Sequence, residues 1–298
     1  MKRSLTRTIQ SFAQGAFQKN RIYYIWCCTI RTSIFSKAVT IRNLKLKIIS
    51  YNLNGIRAAL RKDLLDWLKS ENPDVFLVQE TKAQPEQIDK EAFAELGYKP
   101  YIHSAQKPGY SGVAIFSKQE PDNVIVGSGM EKYDNEGRII RADYGDISVL
   151  SVYFPSGSSG DSRQDFKMEF LNDFKPWVKN LMKERPKLVI SGDFNICHKP
   201  IDIHNPVSNK NSSGFLPEER EWVSEFLDMG FVDSFRAYHP EPDRYSWWSY
   251  RFSARKKNLG WRIDYHMVSE KLAEEITNAD ILESVVHSDH CPVLLELN

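Results

Sequence analysis

Short apolar runs recur along the chain, and stretches with helical spacing separate them. Runs of three to seven residues that are bounded by Gly, Asn or Pro are typical of buried strands. They occupy residues 48–51, 75–78, 113–116, 147–153, 188–190, 263–268 and 293–297. Helical spacing covers residues 63–70, 85–96, 164–183 and 217–229. This alternation predicts a single α/β domain over residues 44–298, without internal repeats or linkers.

Polar side chains stand at the ends of these apolar runs. The positions are Asn52, Glu80, Tyr153, Asp193 with Asn195, Asp264, and Asp289 with His290. Where several strands run to one edge of a fold, the loops that follow them converge there. We therefore expect these carboxylates, amides and the imidazole to share one cleft.

Oxygen-rich donor sets suit Mg²⁺, Mn²⁺ or Ca²⁺ better than Zn²⁺, and a His beside an Asp adds an acid–base group. Each residue alone has an ordinary alternative. Glu80 is compatible with a surface ion pair and His290 with a hydrogen-bonded core histidine. Only their joint occurrence favours a hydrolytic metal site.

Charge is distributed unevenly along the chain. The net charge is +1, yet residues 1–43 contain eight Lys or Arg and no acidic residue, so the remaining 255 residues carry −7. Any affinity for nucleic acid in residues 44–298 must therefore come from a local basic face. Four cysteines without a CxxC pair indicate a reducing compartment, and no apolar run approaches the roughly 20 residues of a membrane span.

Two interpretations of the basic segment 1–43 stay open. Its composition fits a mitochondrial presequence, which would place the protein in mitochondria. Alternatively, the segment is a disordered or non-native extension and translation starts at Leu46, which would suit a bacterial cytoplasmic protein at the nucleoid. Under both interpretations we expect the segment to be dispensable for folding and activity.

Eleven motifs occur in an order that resembles one known family. They are SYNLNGIRA (50–58), QETK (79–82), GYSGV (109–113), EGR (136–138), YFP (153–155), SGDFN (191–195), GF with PEER (214–220), DSFR (233–236), WWSY (247–250), GWRIDY (260–265) and SDHCP (288–292). Any one of them is a weak signal. Together they resemble the exonuclease III family of apurinic/apyrimidinic endonucleases, within the deoxyribonuclease-like metal phosphoesterases.

The resemblance implies a fold and a set of residue roles. The fold is a four-layer α/β sandwich of two facing mixed β-sheets flanked by helices. The implied catalytic residues are Tyr153, Asp193, Asn195, Asp264 and His290. The implied metal site comprises Asn52, Glu80, Asp193, Asn195, Asp289 and His290. The implied DNA-binding residues are Arg57, Tyr110, Arg138, Trp247, Trp261 and Ile263.

The implied reaction is Mg²⁺-dependent hydrolysis of the phosphodiester 5′ to an abasic site in duplex DNA, with Mn²⁺ able to substitute. The resemblance adds 3′-phosphodiesterase and 3′–5′ exonuclease activities in unknown proportion. The implied partner is double-stranded DNA with abasic sites or blocked 3′ ends, and we expect a monomer that does not engage membranes.

Three positions depart from the family pattern: Ser156 replaces a longer amide, Asn54 stands where some members have Asp, and His287 replaces a small residue. Two rival functions remain. Lipid and inositol-phosphate phosphodiesterases share the catalytic motifs, but Trp247 and the Trp261–Ile263 segment favour a pocket for a base-free sugar. A non-catalytic DNA-binding protein is disfavoured, because no expected catalytic position is lost.

Overall fold

A computed structural model describes residues 45–298 of the chain, so the expectations for residues 1–43 lie outside the described residues. The strands are β1 (Leu46–Asn52), β2 (Val75–Gln79), β3 (Lys99–His103), β4 (Val113–Ser117), β5 (Asn123–Val126), β6 (Ile139–Tyr144), β7 (Ile147–Tyr153), β8 (Lys187–Asp193), β9 (Phe231–Asp233), β10 (Asp264–Ser269), β11 (Ile276–Ile281) and β12 (Val293–Leu297). The helices are α1 (Ile56–Leu60), α2 (Leu64–Glu71), α3 (Lys90–Glu95), α4 (Glu131–Asp134), α5 (Asp161–Glu184), α6 (Pro217–Asp228), α7 (Ser234–Tyr238) and α8 (Glu270–Ala273).

The strands form two six-stranded sheets. The first sheet has the order β11-β12-β1-β2-β4-β3, and the second sheet has the order β5-β6-β7-β8-β10-β9. In each sheet the central pair, β1 with β2 or β7 with β8, is parallel, and the remaining neighbours are antiparallel. Both sheets are therefore mixed, as expected.

Three apolar layers hold this sandwich together. Side chains such as Ile48 and Val149 fill the space between the sheets. The outer face of the first sheet packs against α2 and α3 through Leu68 and Phe93. The outer face of the second sheet packs against α5 and α6 through an aromatic cluster that includes Phe170. The four-layer α/β sandwich is thus confirmed.

Strand register brings the polar strand ends to one edge. Asn52 pairs with Gln79 at the end of the parallel pair β1/β2. Tyr153 pairs with Asp193 at the end of the parallel pair β7/β8. Asp264 begins the antiparallel strand β10 opposite Asp193, so it lies at the same edge.

Two of the long predicted helices are present, as α5 and α6. The prediction of one continuous helix over residues 85–96 is wrong. This segment is divided into a single 3₁₀ turn, Pro85–Gln87, and the separate helix α3. Ile88 between them is extended, with φ −100° and ψ 124°. Asp89 then starts α3 by accepting a hydrogen bond from the Ala92 N–H. Within residues 45–298, no helix has the length and apolarity needed to cross a membrane.

Candidate active site

Asn52 joins side chains from the two sheets. Its Nδ2 donates to Glu80 Oε1 at 2.8 Å and to Asp193 Oδ2 at 2.9 Å. Its Oδ1 accepts from the Asn54 N–H at 3.0 Å, which fixes the orientation of the amide. Asn52 therefore presents nitrogen, not oxygen, to the two carboxylates. In this orientation the amide positions the two carboxylates, and the metal-ligand role that the resemblance implied for Asn52 stays a prediction.

Asp193 and Asn195 form a tight turn at the end of β8. The Asn195 N–H donates to Asp193 Oδ1 at 2.7 Å, and its side-chain Nδ2 donates to Phe154 O at 3.0 Å and to Asp193 Oδ2 at 3.2 Å. Asn195 has a φ of +53°, in the left-handed region that Asn tolerates better than most residues. This turn places a carboxylate and an amide side by side at the edge of the cleft.

His290 lies between two aspartates. Its Nδ1 is 2.9 Å from Asp264 Oδ2, and its Nε2 is 3.9 Å from Asp193 Oδ2. Ser246 Oγ also donates to Asp264 Oδ2, at 2.6 Å. Burial alone would lower the pKa of His290, but the Asp264 carboxylate outweighs burial and raises that pKa. Asp264 therefore favours the protonated ring, whose Nε2 is directed toward Asp193.

Asp289 sits beside this group with both carboxylate oxygens occupied. Oδ1 accepts from Asn54 Nδ2 at 3.0 Å and Oδ2 accepts from Trp247 Nε1 at 3.1 Å. Burial raises the pKa of Asp289, but His290 and these two donors outweigh it, so the pKa is lowered. Among the described residues, the acidic and histidine side chains that converge closely enough to hold one ion are Glu80, Asp193 and His290. Asp289 is outside that group.

Negative charge is concentrated around Asp193. Burial is the largest cause that raises the pKa of Asp193, and repulsion from Asp264 and Glu80 adds to it against the opposing effect of His290. Glu80 and Asp193 supply hard oxygen donors, and a cation between them would relieve this repulsion. The residues present thus fit a hard divalent cation, with Glu80 and Asp193 as the side chains that would hold it.

Lys82 also belongs to this site, and it is not among the residues that the resemblance implied. Its Nζ is 2.7 Å from Glu80 Oε2 and 2.5 Å from Asn54 Oδ1. Glu80 and Lys82 both have positive φ values, of 50° and 46°. Strained residues of this kind cluster at functional sites. The signal that could have identified Lys82 is its place in QETK, two residues after the strand-end carboxylate.

Tyr153 and Arg138 form a second side of the cleft. Burial raises the pKa of Tyr153, and Glu80 and Asp193 raise it further, so the phenol keeps its proton. Arg138 is only 1% exposed and donates to Tyr153 O at 2.8 Å, to Glu136 Oε2 at 2.6 Å and to the Tyr110 hydroxyl at 3.2 Å. A side chain buried in this way does not fit the expected DNA-binding role. Arg138 instead holds Tyr110 and Tyr153 in place.

Arg163, at the start of α5, was missed by the sequence analysis. It donates to the Tyr110 hydroxyl at 2.9 Å and to Glu136 Oε1 at 3.0 Å. Tyr110 is half-buried between these groups, whereas Arg57 is exposed on α1. No local pattern marks Arg163, because the contact joins residues 53 positions apart.

An apolar wall adjoins His290. Trp247 and Trp261 meet edge to face, with ring centroids 6.0 Å apart, and Trp247 lies 6.4 Å from the His290 ring. Ile263 is buried in the same cluster, together with Phe215. The structure therefore brings these three predicted residues together, with the two tryptophans half-buried and Ile263 behind them.

Comparisons with known proteins identify the family of this chain. The profile of the Endonuclease/Exonuclease/phosphatase family matches residues 49–290. The chain is 46% identical over 255 residues to an exodeoxyribonuclease of Bacillus subtilis, covering 85% of this chain and all of the relative. It is 40% identical over 259 residues to the DNA repair nuclease APEX1 of Danio rerio, covering 86% of this chain and 83% of the relative.

Solved structures of related nucleases superpose on this chain. An AP endonuclease from Archaeoglobus fulgidus superposes with a TM-score of 0.78 at 31% identity, covering 85% of this chain and 99% of that one. A 3′–5′ exonuclease from Neisseria meningitidis superposes with a TM-score of 0.79 at 28% identity, covering 85% and 100%. The chain therefore belongs to the Endonuclease/Exonuclease/phosphatase family and, within it, to the exonuclease III group of apurinic/apyrimidinic endonucleases, which are hydrolases.

Proposed function

We propose that this protein is a Mg²⁺-dependent DNA repair nuclease that hydrolyses the phosphodiester 5′ to an abasic site in duplex DNA. The observation that carries the proposal is the convergence of Glu80, Asp193 and His290 next to the apolar wall of Trp247 and Trp261. Relatives named exodeoxyribonuclease and DNA repair nuclease support additional 3′–5′ exonuclease and 3′-phosphodiesterase activity. Mn²⁺ is expected to substitute for Mg²⁺.

Glu80 and Asp193 are the side chains that would hold the cation. When bound, Mg²⁺ neutralises charge on the phosphate oxygens and lowers the pKa of nearby water. Asn52, which donates to both carboxylates, keeps their oxygens at a fixed separation.

The protein's own residues account for the remaining chemistry. The Asp193 carboxylate lies beside Asn195 at the edge of the cleft, where it can accept a proton from the attacking water. The Asn195 amide next to it orients that water. The protonated His290, held by Asp264, donates from Nε2 to a phosphate oxygen, and the neutral Tyr153 phenol donates to the oxygens that gain charge.

Substrate choice is assigned to the apolar wall. A base-free sugar is cheap to turn out of the duplex, because little pairing or stacking is lost with it. Its faces are apolar enough to pack on Trp247 and Trp261, and we expect these two side chains to exclude an attached base.

The test is incision of a labelled duplex that carries one tetrahydrofuran abasic analogue, in Mg²⁺ and in EDTA. We expect incision in Mg²⁺ only, and a loss of about 10²-fold or more in Glu80→Gln, which keeps the shape and removes the charge. The matched control is Glu71→Gln, whose carboxylate pairs with Lys47 at 3.1 Å and is not part of the Glu80, Asp193 and His290 cluster. It should retain full activity.

Two outcomes would contradict the proposal. One is incision by the wild-type protein that is unchanged in EDTA. The other is hydrolysis of sphingomyelin or an inositol polyphosphate at a higher kcat/KM than that of the abasic duplex.

A further inference from the structure

A lysine–glutamate ion pair lies fully buried behind the turn that carries Asn195. Lys167 on α5 and Glu219 on α6 are both 0% exposed, and Lys167 Nζ is 2.6 Å from Glu219 Oε1. Lys167 Nζ also donates to the backbone carbonyl of Asn195 at 2.8 Å. Two helices are thereby tied to the first residues after β8.

Glu219 holds a second loop. Its Oε2 accepts from the Gly214 N–H at 2.6 Å and from the Leu216 N–H at 3.0 Å. The Cys197 N–H in turn donates to Gly214 O at 2.8 Å. Lys167 and Glu219 thus both form hydrogen bonds with backbone groups in the loops around Asn195.

The two loops are closely packed against each other. Gly214 has a φ of +94°, and a Cβ at this position would lie 3.0 Å from Asn195 O and 3.0 Å from the Trp261 ring. Asn195 itself is held in the left-handed region. A backbone in that region persists only where its surroundings constrain it strongly.

Stability alone does not explain a charged pair at this place. Removing two charges from water costs several kcal/mol for each ion, and a well-packed apolar pair is often as stable or more stable. Hydrogen bonds from the pair to the Asn195 and Gly214 backbones are what an apolar pair could not supply. These contacts therefore indicate that the ion pair positions the backbone around Asn195 and Gly214.

We propose that Lys167, supported by Glu219, is a positioning residue that fixes the Asn195 turn and so aims the Asn195 amide at the attacking water. This inference rests on the proposed function. Without the Lys167 ammonium, the Asn195 carbonyl loses its buried donor and the turn relaxes. Misplacement of a catalytic group by about 1 Å costs up to about 10²-fold in rate.

The experiment measures kcat and KM for incision of the abasic duplex by Lys167→Met. We expect kcat to fall by about 10- to 100-fold while KM changes by less than about threefold, because the turn contributes to the reacting geometry rather than to DNA affinity. The matched control is Lys175→Met. Lys175 pairs with Glu225 across the same two helices, but at the surface and away from Asn195. It should change kcat by less than about twofold.

A mutant cycle separates positioning from a general structural effect. In an Asn195→Ala background, Lys167→Met should lower the single-turnover rate by less than about threefold, since its target is already gone. The same 10- to 100-fold loss in both backgrounds would overturn the proposal. If Lys167→Met does not fold, Glu219→Gln carries the same cycle and the same criterion applies. Failure of the wild-type protein to incise abasic DNA would instead contradict the proposed function.

Discussion

Two groups of buried carboxylates flank the second sheet, and they differ in how their charge is balanced. Asp202 and Asp233 surround the fully buried Arg262, whose Nε lies 2.8 Å from Asp202 and whose second terminal nitrogen lies 2.6 Å from Asp233. Burial opposes ionisation of Asp202, yet the guanidinium groups lower its pKa to about 2. Asp193 faces Asp264 instead, and its pKa is raised.

The difference separates a structural charge from a functional one. The arginine-balanced cluster is complete, and it anchors the segment 261–263 because the Arg262 N–H also donates to Asp202 O at 2.8 Å. Around Asp193 the balance is incomplete, because burial and repulsion from Asp264 and Glu80 raise its pKa although the cations His290 and Lys82 are nearby. A site of this kind gains most when a cation and a substrate arrive from solution.

The largest expected effect is at Asp193. Asp193→Asn should lower the abasic-site incision rate by about 10²- to 10⁴-fold, the scale of a lost general base. The same change should raise the Tm in EDTA at pH 8. A carboxyl group whose pKa is raised by folding contributes stability below its unfolded value of 3.8, and this contribution is lost as pH rises through its folded pKa.

Differential scanning calorimetry with EDTA and with excess Mg²⁺ provides the control. Mg²⁺ should stabilise the wild-type protein, by about 2.7 kcal/mol at 100 times its Kd, and should stabilise Asp193→Asn much less. A lower Tm of Asp193→Asn in EDTA would show that the Asp193 carboxylate is balanced within the protein, and the comparison would fail.

The next effect is at the balanced cluster. Asp233→Asn should lower the free energy of unfolding by about 3–5 kcal/mol, because it removes one partner of a buried arginine. Urea denaturation measures this change, and excess Mg²⁺ should not restore it. The control is Asp146→Asn, whose 73% exposed carboxylate pairs with Lys187 and should contribute less than about 1 kcal/mol. Equal losses in the two variants would remove the distinction between buried and exposed pairs.

The strand ends could be predicted from the sequence because their apolar runs are short, buried and closed by polar residues. Strands β3 and β6 could not be predicted in this way. Pro100 lies inside β3, which is tolerated because β3 is an edge strand. Arg141 and Asp143 interrupt β6, where they pair with each other. In both cases the sheet supplies a context that local composition does not contain.

The same limit applies to the active site, where part of the structure depends on contacts that local composition does not contain. Asp193, Asp264 and His290 were predictable as chemistry at strand ends. Whether the Arg138 side chain faces solvent or the protein interior was not predictable, because its partners Tyr153 and Tyr110 lie 15 and 28 positions away along the chain. Lys167 was invisible for the same reason, since its contacts with Asn195 and Glu219 join residues 28 and 52 positions apart.

The smallest expected effect is at His266, a buried titratable residue that forms no ion pair within residues 45–298. His266 on β10 contacts Ser191 Oγ at 2.6 Å and, through Nε2, Val293 O at 2.9 Å, so it links the two sheets. Burial lowers its pKa from 6.5 to about 4, although Asp233 acts in the opposite direction. The folded protein therefore holds this ring neutral.

Because the unfolded chain takes up a proton near pH 6.5 and the folded chain does not, stability from His266 is complete above pH 6.5 and falls as pH is lowered toward 4. The loss should reach about 2 kcal/mol at pH 5. Urea titrations of the wild-type protein and His266→Gln between pH 7 and pH 4.5 measure it, because Gln can keep the donor to Val293 O but cannot titrate. The wild-type protein should lose stability more steeply over this range. Parallel curves would mean that the folded protein accepts the proton, and that burial without an opposite charge does not decide ionisation in this fold.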